Sequence, residues 1–232
     1  MVNYGEVGSR VTVRVIFGAD GKLIMSGSLI ALTCKTLIWS LTLFSGVAMA
    51  IEEPKYTISS KGDLYEIRDY ESTLVAETAI EAKFDEAGNR AFRILADYIF
   101  GNNTSKAKIE MTAPVAQVKS EKIAMTAPVN MTKGDNGFLV QFTMPAKFNL
   151  GNIPKPNDER VQIREIPKRK VAVFRYSGSW SEDRYKRKLA EFSSALVKDN
   201  VKTVGEPVFA RFNSPFQLWF LRRNEIWLEV AQ

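Results

Sequence analysis

The chain has 232 residues, of which 45% are hydrophobic and 25% charged, and these ordinary globular proportions exclude a disordered, collagen-like or polytopic membrane protein. Its net charge of +6 is small and spread along the chain, which argues against a dedicated nucleic-acid binder. With no histidine and one cysteine, the common zinc ligand sets, the Ser-His-Asp triad and the Cys-His nucleophile pair are excluded. The sequence therefore predicts neither a catalytic residue nor a metal site built from side chains.

The first fifty residues are predicted to be a leader with a signal peptide. Residues 36–50 carry no charge and are fewer than the roughly 20 apolar residues that cross a bilayer, as expected of a signal h-region. Lys35 precedes this run and the small-x-small triplet 48–50 ends it, so we expect cleavage before Ile51 and export to the periplasm or another extracytoplasmic compartment. The alternative is an uncleaved anchor. Met25 is a second candidate start, because the residues before it make a poor n-region.

Residues 51–232 are expected to form a single domain with no stable membrane span. The only cysteine, Cys34, leaves with the leader, so no disulfide can support the exported chain. A domain of this length buries roughly 70% of its unfolded surface, which is enough for a core to hold it together.

Two strands and a helix are predicted at the start of this domain. Residues 64–70 alternate in polarity and residues 74–81 continue in strand-like fashion after a short break, which we interpret as a hairpin. Apolar residues then recur at spacings of three and four, which indicates an amphipathic helix ending at Gly101. The apolar positions are Phe84, Ala87, Ala91, Phe92, Leu95, Tyr98 and Ile99.

The same plan recurs 96 residues later, which indicates an internal duplication rather than a chance likeness. Ile67 corresponds to Ile163, Arg68 to Arg164, Val75 and Ala76 to Val171 and Ala172, and Phe84 to Trp180, and a second helical pattern follows through Tyr185, Leu189, Phe192 and Leu196. Later strands are predicted at residues 138–144, 208–212 and 225–230. Two β-β-α units closed by these strands predict an α+β fold, a twisted antiparallel sheet with two helices packed on it.

A smaller repeat separates the two units. Residues 108–115 (KIEMTAPV) and 122–129 (KIAMTAPV) match at a period of fourteen. Proline lacks a ladder donor, so each copy is expected at a sheet edge or in an irregular extended segment. We interpret the two methionines, Met111 and Met125, as core residues rather than ligands.

Five collinear motifs make the domain similar to a known family. They are residues 65–70 (YEIRDY), residues 91–101 (AFRILADYIFG), the paired Met-Thr-Ala-Pro-Val motif, residues 213–215 (NSP) and residues 223–227 (RNEIW). Together they resemble the SOUL haem-binding protein family, in its plant and bacterial branch, over nearly all of residues 51–232. The resemblance implies a distorted antiparallel β-barrel of two pseudo-symmetric halves, flanked by two helices, which agrees with the duplication.

The resemblance also implies a function, the binding of haem or another tetrapyrrole on an apolar surface beside the first helix, with basic side chains at the propionates. The residues that it points to are Asn89, Arg90, Phe92, Arg93, Leu95, Ala96 and Tyr98. The propionate-pairing positions of the family fall on Asn89 and Asp97, so Arg90 and Arg93 are the substitutes if the helix is slightly rotated. Each residue also has an ordinary interpretation, since an apolar helical stripe is usually core and an arginine usually lies in solvent.

The missing histidine limits the chemistry of such a site. Haem iron is usually held by His, Cys, Met or Tyr, so a histidine-ligated redox or oxygen site is excluded. What remains is non-covalent, exchangeable capture by apolar burial, at roughly 25 cal/mol per Å², helped by one or two arginine–propionate pairs. We therefore expect a buffer or carrier rather than an enzyme.

Two other hypotheses stay open. The gyrase-inhibitor-like effector-binding domains resemble the duplicated layout and include hydrolytic members, and carboxylates that could serve as a general base lie near the predicted strands. These are Glu66, Asp69, Glu77 and Glu110. A small-molecule effector-binding domain or hydrolase is thus the second hypothesis. The third, an interaction module, requires an exposed apolar patch of more than a few hundred Å².

Overall fold

Eleven strands and two α-helices make up the described part of the chain, residues 51–105, 120–214 and 216–231 of a computed structural model. In chain order they are β1 (Tyr56–Lys61), β2 (Glu66–Tyr70), β3 (Thr73–Ile80), α1 (Phe84–Phe100), β4 (Asn103–Thr104), β5 (Val129–Gly134), β6 (Gly137–Thr143), β7 (Lys155–Pro156), β8 (Gln162–Ile166), β9 (Arg169–Tyr176), α2 (Glu182–Lys198), β10 (Thr203–Arg211) and β11 (Asn224–Val230). The predicted leader and the first Met-Thr-Ala-Pro-Val copy lie outside the described residues. No helix in the described ranges is both long and apolar enough to cross a bilayer.

Nine strands form one antiparallel sheet in the order β1-β2-β9-β11-β10-β5-β6-β3-β8, and β4 pairs with β7. The connections show that this sheet is curled. β2 and β3 are separated by six positions in the strand order, which would be about 29 Å in a flat sheet whose strands lie roughly 4.8 Å apart. Yet only Glu71 and Ser72 join them, a link that spans at most about 11 Å. β8 and β9, also six places apart, are joined by Pro167 and Lys168 alone, so the sheet bends into a half-barrel and the predicted α+β fold is confirmed.

The hairpin predicted between the first two strands is wrong, although both strands exist. β2 pairs with β1 and β9, whereas β3 pairs with β6 and β8. Alternating polarity identifies a strand but carries no information about the strand that it pairs with. A two-residue link can form a hairpin turn, but it can equally connect two strands near opposite ends of a curled sheet.

The internal duplication is confirmed by the element bounds. β8 and β9 begin and end 96 residues after β2 and β3, and α2 begins two residues later than that offset predicts. The two halves exchange partners, because the first strand of each pairs with the second strand of the other. This exchange joins the two units into one sheet.

The two helices cover one face of the sheet, where the main core lies. In α1, Asp85 and Glu86 lie in the first turn, where carboxylates interact favourably with the helix dipole. The helix ends at Gly101 as predicted, with a φ of 127° that favours glycine. The ring of Phe84 stacks 5.1 Å from Tyr185 of α2, which ties the two helices together.

On the other, concave face of the half-barrel, the described residues place no helix. Its cluster of buried apolar residues is smaller and consists of Tyr70, Val171, Val173, Ala210 and Trp227. Three buried charged residues have side chains on the same side of the sheet as this cluster, namely Arg68, Glu77 and Glu225. The sheet therefore separates an apolar core under the helices from a mixed polar and apolar concave surface.

Candidate functional site

The seven predicted tetrapyrrole-contacting residues all lie on α1, but the structure divides them. Leu95 is 0% exposed and Tyr98 is 1% exposed, so both side chains belong to the core. The hydroxyl of Tyr98 donates to the carbonyl oxygen of Pro154 at 2.8 Å, and burial raises its pKa. Arg90 donates to the carbonyl oxygen of Glu81 at 3.2 Å, beside the start of the helix.

The other four predicted residues share one flank of α1. An α-helix turns by about 100° per residue, so these side chains lie within roughly 100° of one another around the helix axis. They are Asn89, Phe92, Arg93 and Ala96. Asn89 and Arg93 are exposed and Ala96 is buried. Phe92 is half-buried, with its ring 5.5 Å from that of Phe142 in β6. We call this surface the helix flank; it combines an apolar base with a polar, solvent-facing edge.

Arg211, at the end of β10, is a buried cation next to α1 that the sequence analysis missed. It lies so close to the helix that a Cβ added at Gly88 would be 2.5 Å from its Nη1. Its guanidinium carbon is 4.9 Å from the ring centres of both Trp180 and Phe209. Nε and Nη2 are buried without a hydrogen-bond partner among the described residues, and burial lowers the pKa of Arg211 to about 10. A single arginine ending an apolar strand gives no sequence signal of this environment.

A run of exposed apolar side chains follows Arg211 in the connection from β10 to β11. Phe216 is 93% exposed, and Leu218, Trp219, Phe220 and Leu221 are each more than half exposed. We call residues 216–221 the apolar loop. Exposed apolar side chains that occur singly are ordinary, whereas a contiguous group indicates a binding surface.

The base of the apolar loop meets the same aromatic ring as Arg211. The guanidinium carbon of Arg222 lies 4.3 Å from the ring centre of Trp180, and its Nε donates to the carbonyl oxygen of Gln217 at 2.8 Å. Trp180 in turn donates from Nε1 to Oδ1 of Asn224, the first residue of β11. Arg211, Trp180 and Arg222 thus connect α1 with the root of the apolar loop.

The second Met-Thr-Ala-Pro-Val copy lies partly at the surface. Its extended, irregular conformation before β5 is as predicted, with the hydroxyl of Thr126 donating to the carbonyl oxygen of Thr143. Met125 is 45% exposed, so its interpretation as a core residue is wrong. Ala127, two residues later, is 5% exposed and packs inward instead, because this irregular segment does not keep the regular alternation of a strand.

The carboxylates considered for an enzyme are held by cations in the described structure. Glu66 accepts from Nε of Arg68 at 2.9 Å, and Glu77 accepts from Arg164 at 3.0 Å. Asp69 lies 3.8 Å from the ammonium of Lys170. Glu110 lies outside the described residues, within which no three His, Cys, Asp or Glu side chains converge on a metal position.

The sequence comparison identifies the family. The family described as SOUL heme-binding protein matches residues 51–229. The chain belongs to the SOUL haem-binding family. It is similar to "Heme-binding protein 2" of Mus musculus, with 28% identity over 186 residues that cover 77% of this chain and 86% of the mouse protein. It is also similar to the Homo sapiens protein of the same name, with 29% identity over 167 residues that cover 71% of this chain and 77% of the human one.

The structural comparison supports the fold of this SOUL family member and nothing finer. The crystal structure of the EcmrR C-terminal domain superposes with a TM-score of 0.51 and 10% identity, over 76% of this chain and 98% of that domain. At that identity the likeness concerns the backbone alone. The family assignment therefore rests on the sequence match, which confirms the resemblance to the SOUL family; the plant and bacterial branch stays a prediction.

Proposed function

We propose that this SOUL family member binds haem or a related tetrapyrrole reversibly and acts as a buffer or carrier rather than a catalyst. The observation that carries the proposal is the buried guanidinium of Arg211 beside α1, whose Nε and Nη2 have no partner among the described residues. The ring of Trp180 connects this guanidinium to Arg222 at the base of the exposed apolar loop. A tetrapyrrole is a flat apolar ring with carboxylate substituents, so it needs an apolar surface and a cation. The names of the mouse and human relatives point to the same ligand.

Each predicted residue has a distinct role in this proposal. Phe92 and Ala96 of the helix flank and Trp219 of the apolar loop contact the ring, while Arg93 and Arg211 pair with propionates. Asn89 hydrogen-bonds at the polar edge. Leu95 and Tyr98 support the helix from the core, where they are fully packed, and Arg90 fixes the chain that enters α1.

The expected affinity follows from the area that a flat ring covers. Burial of about 500 Å² of apolar surface at roughly 25 cal/mol per Å² yields about 12 kcal/mol before the costs of association. Those costs begin at about 4 kcal/mol, and a net of about 8 kcal/mol corresponds to a micromolar dissociation constant. Because no histidine is present to ligate iron, we expect similar affinities for haem and metal-free porphyrins.

Hemin titration of the full chain tests the proposal. We expect a shifted Soret band and quenched tryptophan fluorescence that saturate near one equivalent. The Trp219→Ser and Arg211→Met variants should each weaken binding about tenfold or more. Val197→Ser is the matched control, because Val197 is a 76% exposed apolar residue on α2, away from the apolar loop.

Two results would refute this assignment. Non-saturating adsorption of hemin would deny a defined site. Equal loss of affinity in Trp219→Ser and Val197→Ser would mean that the ring binds to any exposed apolar residue. Circular dichroism spectra of each variant establish that it is folded before its affinity is compared.

An ester-hydrolysis screen with and without hemin separates the carrier from the second hypothesis, a hydrolase.

We also propose that the protein acts outside the cytoplasm, after removal of a signal peptide. This rests on the leader pattern of residues 36–50 and on a family match that begins at Ile51, directly after the expected cleavage site. Determination of the mature N-terminus in cell fractions tests it. A mature chain starting at Ile51 in the extracytoplasmic fraction is expected, whereas a membrane-bound uncleaved chain would favour the anchor.

A further inference from the structure

The concave face of the half-barrel contains a groove on the side of the sheet opposite to the two helices. Its volume is about 370 Å³, within the range of roughly 300–1,000 Å³ that is typical of small-molecule sites. Residues of β5, β6, β8, β9, β10 and β11 line it. Its apolar walls are Leu139, Ile166, Val171, Val208 and Trp227. Curling of the sheet creates this groove, since it brings β8 near β9 from the two ends of the strand order.

The groove continues into a small inner recess that is lined by the amide of Asn130. The recess, of about 20 Å³, shares Gln141, Ile166, Arg169 and Trp227 with the groove. Asn130 lines it, is 4% exposed, and has a buried Oδ1 that accepts no hydrogen bond from the described residues. Buried amides are normally satisfied, so this one is available to a ligand.

Arg169 lies where the groove meets the recess. No hydrogen-bond or ion-pair partner contacts this side chain within residues 51–105, 120–214 and 216–231. Its guanidinium carbon lies 5.9 Å from the ring centre of Trp227, and burial lowers the pKa of Arg169. Removing a cation from part of its water without an anion in exchange costs free energy, which a carboxylate ligand would recover.

The neighbouring charges leave Arg169 as the cation best placed for a ligand. Arg164 is held by Glu77 at 3.0 Å and Lys168 by Glu71 at 2.5 Å. Lys133, Glu206 and Glu229 also line the groove, and all three are exposed at its rim. Glu229 attracts Arg169 and partly opposes the effect of burial on its pKa, but water screens it and it forms no ion pair with Arg169. Among the described residues, the interior of the groove therefore presents Arg169 as its partly desolvated positive charge, beside the aromatic wall of Trp227.

We propose that the groove is a second ligand site, which binds a small aromatic carboxylate with its carboxylate on Arg169 and its apolar body against Trp227 and Ile166. Arginine suits this role because its planar fork of donors matches a carboxylate. The amide of Asn130 recognises a polar substituent of the ligand at the inner end. This site is separate from the proposed tetrapyrrole surface, because α1 packs on the opposite face of the sheet.

The test uses 2-naphthoate as the probe and the full chain with ¹⁵N-labelled tryptophan. Saturable binding is expected, with a shift of the Trp227 indole resonance, which is well defined because Nε1 donates to Glu225 at 2.8 Å. Arg169→Gln should weaken naphthoate binding at least tenfold, and the uncharged methyl ester of naphthoate should bind equally weakly to both proteins. Lys170→Gln is the control, since it removes the same charge from the next position of β9, on the other face.

A second variant tests the groove without changing Arg169, in case Arg169→Gln is poorly folded. Leu139→Trp fills the groove from a partly exposed position and should block naphthoate while leaving hemin binding unchanged. Full naphthoate affinity in both variants would overturn the proposal. So would displacement of naphthoate by hemin together with loss of hemin binding in Arg169→Gln, because the groove would then be the tetrapyrrole site. Failure of hemin to bind anywhere would refute the proposed function but leave the naphthoate result standing.

Discussion

Replacement of Glu225 by glutamine is expected to destabilise the fold strongly. The Glu225 side chain is 0% exposed and lies 3.2 Å from Nη1 of Arg68 and 2.8 Å from Nη2 of Arg223. It also accepts a hydrogen bond from Nε1 of Trp227 at 2.8 Å. Glutamine keeps the shape of the side chain but removes the charge, and its amide nitrogen brings a further donor into a group of donors.

The magnitude follows from what remains around Arg68. Loss of one partner from a buried ion pair costs about 3–5 kcal/mol, because the other charge stays buried and uncompensated. Arg68 is 4% exposed but keeps Glu66 as a partner at 2.8 Å, so we expect a loss near about 3 kcal/mol. At roughly 2–4 °C per kcal/mol for a domain of this size, Tm falls by about 6–12 °C.

Urea unfolding followed by far-UV circular dichroism measures this loss. The matched control is Glu66→Gln, because Glu66 pairs with the same Arg68 but its side chain is 28% exposed. Water in contact with Glu66 weakens this pair relative to one whose carboxylate is fully buried, so the control should lose clearly less stability than Glu225→Gln. Equal, small losses in the two variants would refute the view that burial makes the Glu225 pair important.

Three further predictions concern a core residue, a tyrosine and a glycine. Leu95→Ala should lower the free energy of unfolding by about 2–5 kcal/mol with hemin affinity unchanged, and a stable variant that loses hemin would instead place Leu95 on the ligand surface. Burial and a hydrogen bond to Asp199 raise the pKa of Tyr65 from its ordinary value near 10 to about 12. The neutral Tyr65 side chain stabilises the folded state fully below pH 10, and this stabilisation is lost as pH rises through 12. In urea unfolding between pH 10 and 12, the free energy of unfolding of Tyr65→Phe should therefore fall less than that of the parent chain. Gly137→Ala should cost more than about 1 kcal/mol, because φ is 135° and the new Cβ would collide with the carbonyl oxygen of Ile80. Thermal unfolding should show a smaller loss for Gly205→Ala, where φ is 73° and no atom lies within 4 Å.

The sequence predicted the elements of this protein better than their contacts. Both helices, the stop at Gly101, the duplication and seven strands follow from periodicity and a repeat offset, which are local properties of the chain. Strands β1 and β5 of the main sheet were not predicted. The strand partners do not, since β2 and β3 are joined by two residues and yet never pair. Strand pairing depends on how both units bury their apolar faces together, and no window of sequence contains that information.

The candidate site divides in the same way. Helical spacing placed Leu95, Phe92 and Ala96 together on α1. The angle of a residue around a helix, however, does not reveal which neighbour covers it, and the structure buries Leu95 in the core while Phe92 stays half-buried. Strand alternation gave no indication that Arg211 would lie buried and Arg169 half-buried, neither with an ion-pair partner among the described residues. Whether a charge is paired depends on residues far along the chain, as with Arg68 and Glu225, which are 157 positions apart.

By itself, the sequence determined the family, the α+β class and the exclusion of histidine chemistry, because motifs, periodicity and composition are properties of the chain alone. Only the tertiary structure decided which side chains are exposed, which cations lack a partner and where the curled sheet leaves a groove. These properties arise when segments far apart in the chain compete for the same buried space, and that competition is resolved in three dimensions.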